Sequence, residues 1–262
     1  MEFERKAHYT VADLCRIMQL LRSENGCPWD RVQTHESIRK NLIEETYEAV
    51  EAIDCKNSDM LKEELGDVLL QVVFHAQMEA EEGRFTFDDV ADGICQKLIV
   101  RHPHIFSDTK ADSADEVLDN WNRIKQETKG QKTATETLHA VPRQLPALMR
   151  SEKVQSRARK AGFDYCNVQA AYAELRSEVD ELNDTMRDGD FAHIAEEIGD
   201  TLFAAVNVSR FYDMDPEELL TRSCDKFISR FAKVEAQATA EQIELKQAGE
   251  ETLGRLWNAA KH

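Results

Sequence analysis

Asn41 to Asp67 reads NLIEETYEAVEAIDCKNSDMLKEELGD, and 133 residues later Glu174 to Asp200 reads ELRSEVDELNDTMRDGDFAHIAEEIGD. Glu45, Glu48, Glu64 and Asp67 return as Glu178, Glu181, Glu197 and Asp200, each displaced by that same interval. A fixed offset across four acids and an interhelical loop marks an internal repeat. In the first copy Leu42, Ile43, Tyr47, Val50 and Ile53, then Leu61, Leu65, Val68, Leu69, Val72, Val73 and Ala76, recur at helical spacing. Residues three or four apart share a helix face. Glu45 with Glu48 therefore forms one acidic edge and Glu64 with Asp67 another, and an antiparallel helix pair aims all four carboxylates into one space.

Working outward, the same period predicts an all-α chain with no convincing alternation of period two. Helices are expected over Val11 to Leu21, from a Ser37 cap to about Cys55, over Met60 to Glu81 with Gly83 closing it, and from Phe87 until Pro103 interrupts. Glu116 to Glu127 also reads as helix, and Gly26-Cys27-Pro28-Trp29-Asp30 reads as a turn or loop. Lys129 to Pro146 loses the apolar rhythm and holds two Pro and several Thr. Helical patterns resume over Ala147 to Lys160, Val168 to Met186, Phe191 to Tyr212, Pro216 to Ala238 and Glu250 to Ala260. Two related helical domains follow, residues 1–130 and 147–262, joined by a linker at 131–146.

Fifty acidic against 33 basic residues in 262 give a net charge of −17. That excludes a broad nucleic-acid-binding surface, which demands clustered positive charge. With 42% hydrophobic and 32% charged residues and only five Pro, the chain is expected to be folded rather than a disordered acidic tail. No apolar run approaches the roughly 20 residues that cross a bilayer. The start, MEFERKAHYT, lacks the order of a secretory signal, so no membrane and a cytoplasmic address are the expectation. The six cysteines have no CxxC spacing and read as reduced, mostly packed thiols.

Converging carboxylates repel, and a divalent cation relieves that repulsion. An all-oxygen donor set suits magnesium, with manganese as the alternative, and a bound cation admits a phosphate that the bare acids would reject. An EExxE on an amphipathic helix is ordinarily a solvated face, but its pairing with a second acidic edge, repeated in the other half, favours chemistry. Lys226 and Arg230 lie one turn apart, as do Lys97 and Arg101 at an offset of 129, and each pair can present two cations to one ligand. A surface role or pairing with acids is the competing reading. Trp257 with Lys261 and Trp121 with Lys125, at an offset of 136, set an aromatic ring four residues from a cation, for base and phosphate contact or for plain packing. His102 and His104 flank Pro103 and read as structural or surface groups, with proton transfer or a nucleotide contact as the alternative, and Gly199 as a close-packing residue within its helix.

These residues resemble the MazG family of all-helical nucleoside triphosphate pyrophosphohydrolases, in particular its bacterial two-domain members. The resemblance runs from Asn25-Gly26-Cys27-Pro28-Trp29-Asp30 to Trp257 and Lys261 and rests on EExxE followed by ExxD. The first copy is complete at Glu44, Glu45, Glu48, Glu64 and Asp67; in the second, Ser177 replaces the opening Glu. The resemblance implies two MazG-like helix bundles, dimeric packing as a homodimer, and hydrolysis of NTPs or dNTPs to the monophosphate and pyrophosphate. It implies that Glu178, Glu181, Glu197 and Asp200 hold magnesium, that Lys226, Arg230, Lys261 and Lys125 contact the triphosphate, and that Trp257 positions the nucleotide. Glu45, Glu48, Glu64 and Asp67 form the parallel candidate metal site, with Lys97 and Arg101 as its phosphate pair. The competing functions are a narrower dNTP pyrophosphohydrolase or phosphatase, and a nucleotide- or partner-binding helical regulator.

Overall fold

A computed structural model describes residues 3–107, 113, 116–117, 120–121, 123–124, 128 and 130–261. Every regular element among them is helical, and the chain divides into two compact units, Met1–Lys125 and Gln126–His262.

The first unit opens with α1 (Val11–Arg22), fixed at its start by a reciprocal cap in which the Asp13 amide donates to the Thr10 hydroxyl and the Thr10 amide to the Asp13 carboxylate. Pro28 at a first-turn position nucleates a single helical turn, α2 (Pro28–Arg31), where a loop was expected. The sharp bend before it depends on Gly26, since a Cβ there would lie 2.2 Å from the Leu21 carbonyl oxygen. Next come α3 (His35–Asp54) and α4 (Ser58–Glu81), an antiparallel hairpin closed by residues 55–57. Thr34, not Ser37, caps α3; Ser37 is the third residue of the helix and donates its amide back to Thr34. Then α5 (Phe87–Arg101) leads into a short turn, α6 (Pro103–Phe106).

α1 lies on α4, and Met18, Ile38, Val73, Phe74 and Met78 form the core between the helices, with Leu14, Leu69 and Phe87 packed on its edge. Arg22 clasps this end of the unit. Its guanidinium donates to Glu81 at 2.8 Å and to the Asp30 carbonyl at 2.6 Å, holding α1, α2 and α4 together. Of the helix expected over Glu116 to Glu127, Glu116, Val117, Asn120, Trp121, Arg123 and Ile124 are described and helical; the other positions lie outside the described residues.

The second unit begins with a short helix, α7 (Ala134–His139), inside the stretch read from sequence as linker. A capping box between Thr133 and Glu136 starts it, which is why a segment without apolar rhythm is ordered. It packs on α8 (Ala147–Lys160). The hairpin of this unit is α9 (Val168–Asp188) and α10 (Phe191–Phe211), turned at Gly189 with φ +73°. α8 packs on α10 and on α11 (Pro216–Ala240), whose second half meets α12 (Glu250–Ala259) after the 3₁₀ turn Leu245–Gln247. Val234, Ala238, Leu256 and Ala260 make the core of that contact, with Leu256 wholly buried. Arg210, at the end of α10, donates to both carboxylate oxygens of Asp164 and ties the α8–α9 loop to the hairpin.

All six cysteines are unpaired, but the expected packing holds only for Cys15 and Cys27, which are half-buried; Cys55, Cys95, Cys166 and Cys224 are exposed because each falls on a solvent-facing position. Among the described residues, no helix is long and apolar enough to cross a membrane.

Candidate metal and phosphate site

Each hairpin brings together three of the four acids that helical spacing sets on its facing edges. One carboxylate oxygen from each of Glu45 and Glu48 on α3 and Glu64 on α4 falls within 4.8 Å of the others. In the second unit the same is true of Glu178 on α9 with Glu197 and Asp200 on α10. The fourth acid, Asp67 in the first copy and Glu181 in the second, is not one of its trio. Asp67 contributes to the first cluster's field, and Glu181 contributes to the second while accepting the Ser177 hydroxyl at 3.1 Å. Ser177, which interrupts the acidic motif, thus orients one of its members.

Like charge at this range raises carboxyls in both clusters. Burial and then the charges of Asp67, Glu48 and Glu64 push the Glu45 carboxyl above its ordinary value. Glu178 is raised in the same way, by burial first and then by Asp200 and Glu181. Glu64 follows, raised by burial and then by Glu48. Among the described residues no Lys or Arg forms an ion pair with any of the eight acids. The contact nearest to compensation is His193, whose Nε2 lies 3.0 Å from Glu197, itself 7% exposed.

An all-oxygen set with unrelieved repulsion fits a hard divalent cation: the acids would supply the ligands, and the ion would supply the missing positive charge. The two positions that the motif reading passed over are His193 and Tyr165. His193 sits four residues before Glu197, so helical spacing alone marks it as a neighbour. In the first unit the matching residue, 133 earlier, is Met60. Tyr165 is raised by burial and then by Glu174 and Glu178, a proximity no sequence spacing gives because a loop delivers it.

The cations are distributed differently. Lys226 is exposed and Arg230 partly so, both on α11, and among the described residues neither forms an ion pair. Lys261 is exposed at the chain end, where its Nζ donates to Asn258 at 3.0 Å. Trp257 packs beside the α11–α12 core, 5.1 Å from the Phe227 ring. In the first unit Lys97 is exposed but Arg101 is buried, its guanidinium 5.1 Å above the Trp121 ring, and the His102 ring meets Trp121 edge-on at 4.9 Å. Arg101 and Trp121 therefore engage one another. Lys125 lies outside the described residues. Gly199 is no close-packing residue: a Cβ there would meet nothing within 4 Å, and the same holds for Gly66 in the first copy.

A model of the MazG nucleotide pyrophosphohydrolase domain matches the chain twice, over residues 33–106 and 167–234, so that each match spans one acidic hairpin. The nucleoside triphosphate pyrophosphohydrolase/pyrophosphatase MazG of Thermotoga maritima is 43% identical over 257 residues, 98% of each chain. The nucleoside triphosphate pyrophosphohydrolase of Escherichia coli K12 is 43% identical over 251 residues, 95% of each. An uncharacterized Bacillus subtilis protein, YabN, is 44% identical over 261 residues, which is 98% of this chain and 53% of that one.

Proposed function

This chain belongs to the MazG family of nucleotide pyrophosphohydrolases, with a MazG domain in each half, and from that premise we propose that it hydrolyses nucleoside triphosphates, ribo or deoxyribo, to the monophosphate and pyrophosphate. The observation that carries the reading is the convergence of Glu178, Glu197 and Asp200 within 4.8 Å on an antiparallel hairpin, with Glu181 beside them. These four hold magnesium, or manganese, which when bound neutralises phosphate oxygens and lowers the barrier to attack at phosphorus. Lys226, Arg230 and Lys261 take the phosphate chain, and Trp257 positions the nucleoside. Lys125 is assigned to the same substrate by family resemblance. Glu178 or a neighbouring carboxylate of the cluster orients the attacking water and takes up its proton. The water oxygen bonds to phosphorus as the bridge between the α and β phosphates breaks.

Glu45, Glu48, Glu64 and Asp67 form a second metal site. Turnover is assigned chiefly to the other half because Arg101, the partner of Lys97 in the first unit, is spent on Trp121. The chain acts as a homodimer. Leu220, Phe227, Ile228 and Phe231 stand at least 40% exposed along α11, an apolar surface on the helix that also bears Lys226 and Arg230. Burying that surface against a second copy would link assembly to the phosphate site. Four exposed, unpaired cysteines fit a reducing, cytoplasmic setting.

The test is a product-resolved assay with magnesium across the common NTPs and dNTPs, on the native chain and on Glu197→Gln and Asp200→Asn. Pyrophosphate release should fall at least 100-fold in both variants. Undiminished release, or orthophosphate as the product, would overturn the assignment.

A further inference from the structure

Between residues 130 and 161 the chain carries seven Lys and Arg against two Glu, in a protein where acids outnumber bases by 50 to 33. Part of that charge gathers round one cleft of about 200 Å³ between the start of α7 and the end of α8. Lys132, Arg157 and Lys160 line it with Gln131, Thr133 and Thr137, and among the described residues no acid does. Glu136 is close in sequence, but its carboxylate accepts the Lys132 and Thr133 amides at 2.6 and 3.4 Å and is thus engaged with backbone. Arg157 donates through Nη1 to the Thr137 carbonyl, which fixes the guanidinium against the wall while leaving its other donors. Lys132 and Lys160 are exposed and, among the described residues, have no ion-pair partner. Arg159 is different: it turns to Asp164 at 3.8 Å, outside the cleft.

We propose that this cleft binds a condensed phosphate anion, with inorganic pyrophosphate the smallest member of the class. A planar guanidinium fork held by backbone, two mobile ammonium groups and the Thr133 hydroxyl offer donors on several sides, as a multiply charged oxoanion requires, while the Thr137 hydroxyl is given to the Ala134 carbonyl. The cleft is separate from the carboxylate hairpin, and no metal is needed to make it attractive to an anion. Pyrophosphate is also the product of the proposed reaction, so occupancy would follow product concentration. The site itself stands on the cleft's own residues, whatever reaction the hairpin performs.

The experiment is calorimetric titration of sodium pyrophosphate into the full chain at low ionic strength with EDTA, where bare carboxylates repel the ligand. Saturable binding is expected for the native protein. Lys132→Glu/Lys160→Glu should weaken it at least tenfold with an unchanged melting curve, since both side chains are exposed. Lys226→Glu/Arg230→Glu should leave it within twofold. Should the charge-reversed protein fold poorly, the single Lys160→Gln variant, expected to weaken binding about threefold, replaces it. No saturation up to millimolar ligand, binding indifferent to Lys132 and Lys160, loss caused instead by the Lys226/Arg230 substitutions, or equal affinity for orthophosphate would each overturn the proposal.

Discussion

Asp200→Asn should make the metal-free protein more stable while making the metal-loaded protein less so. Asp200 is exposed, and its carboxylate lies within 4.8 Å of oxygens on Glu178 and Glu197. Two unit charges at that distance repel by about 1 kcal/mol under water-like screening, and by several times that where solvent is excluded. Because Asp200 faces water, the lower figure applies to each of its two pairs, and asparagine removes both without changing shape. A net gain of about 1–2 kcal/mol in EDTA follows, which raises the melting temperature of a domain of this size, Gln126–His262, by roughly 4 °C per kcal/mol. Magnesium reverses the order. Binding stabilises the native state by RT ln(1 + [Mg]/Kd), so a hundredfold loss of affinity on removing a charged ligand forfeits about 2.7 kcal/mol at saturating ion, more than the gain in EDTA. The assay is differential scanning calorimetry of native and Asp200→Asn chains in EDTA and across a magnesium series, following the transition of the second unit. If Asp200→Asn melts lower than native in EDTA, or keeps the full magnesium-induced rise, the carboxylates are not a crowded cation site and the reasoning fails.

Two further outcomes follow from the same structure. Glu178 is raised from its ordinary 4.5, so its contribution to metal-free stability is fully present below pH 4.5 and is lost as pH rises through the higher folded value. Protons and magnesium therefore compete for this group, and the magnesium-induced rise in melting temperature should shrink as pH falls toward the ordinary carboxyl value of 4.5; a rise unchanged down to that pH would contradict the crowding of the cluster. Leu256→Ala empties a wholly buried position beside Trp257 and should cost about 2–5 kcal/mol in the second unit. Trp257 fluorescence during urea unfolding should register the loss, and an unchanged midpoint would refute the packing described.

Much of the molecule was legible before any coordinates, and the reasons are local. The acids of Asn41–Asp67 and their repeat could be read because helix periodicity converts sequence interval into direction, and because a hairpin with a three-residue turn has one way to bring its faces together. Helix ends were less legible. Thr34 and Ser37 are both competent caps, and only the backbone at Thr34, extended with φ −120°, decides between them. Pro28 falls in a segment that reads as a turn or loop, although the same ring starts a helical turn when it stands first. Groups brought in through loops or across helices escaped altogether. Tyr165 reaches Glu178 by way of the α8–α9 connection, and Arg101 is lost to a cation–π contact with Trp121, twenty residues on. Gly199 was misread because a small residue in a helix carries no mark of whether its side faces a neighbour or open space.

The turn at residues 189–190 has a consequence for how such chains vary in length. Each residue added within α10 ahead of Glu197 rotates all that follows by about 100°, because a helix turns once in 3.6 residues. One insertion there would swing Glu197 and Asp200 away from Glu178, and only additions near whole turns would bring them back. Length change is therefore tolerated best in connections that leave the two arms in step, such as the stretch between α10 and α11. A deletion scan through both kinds of segment would trace that boundary residue by residue.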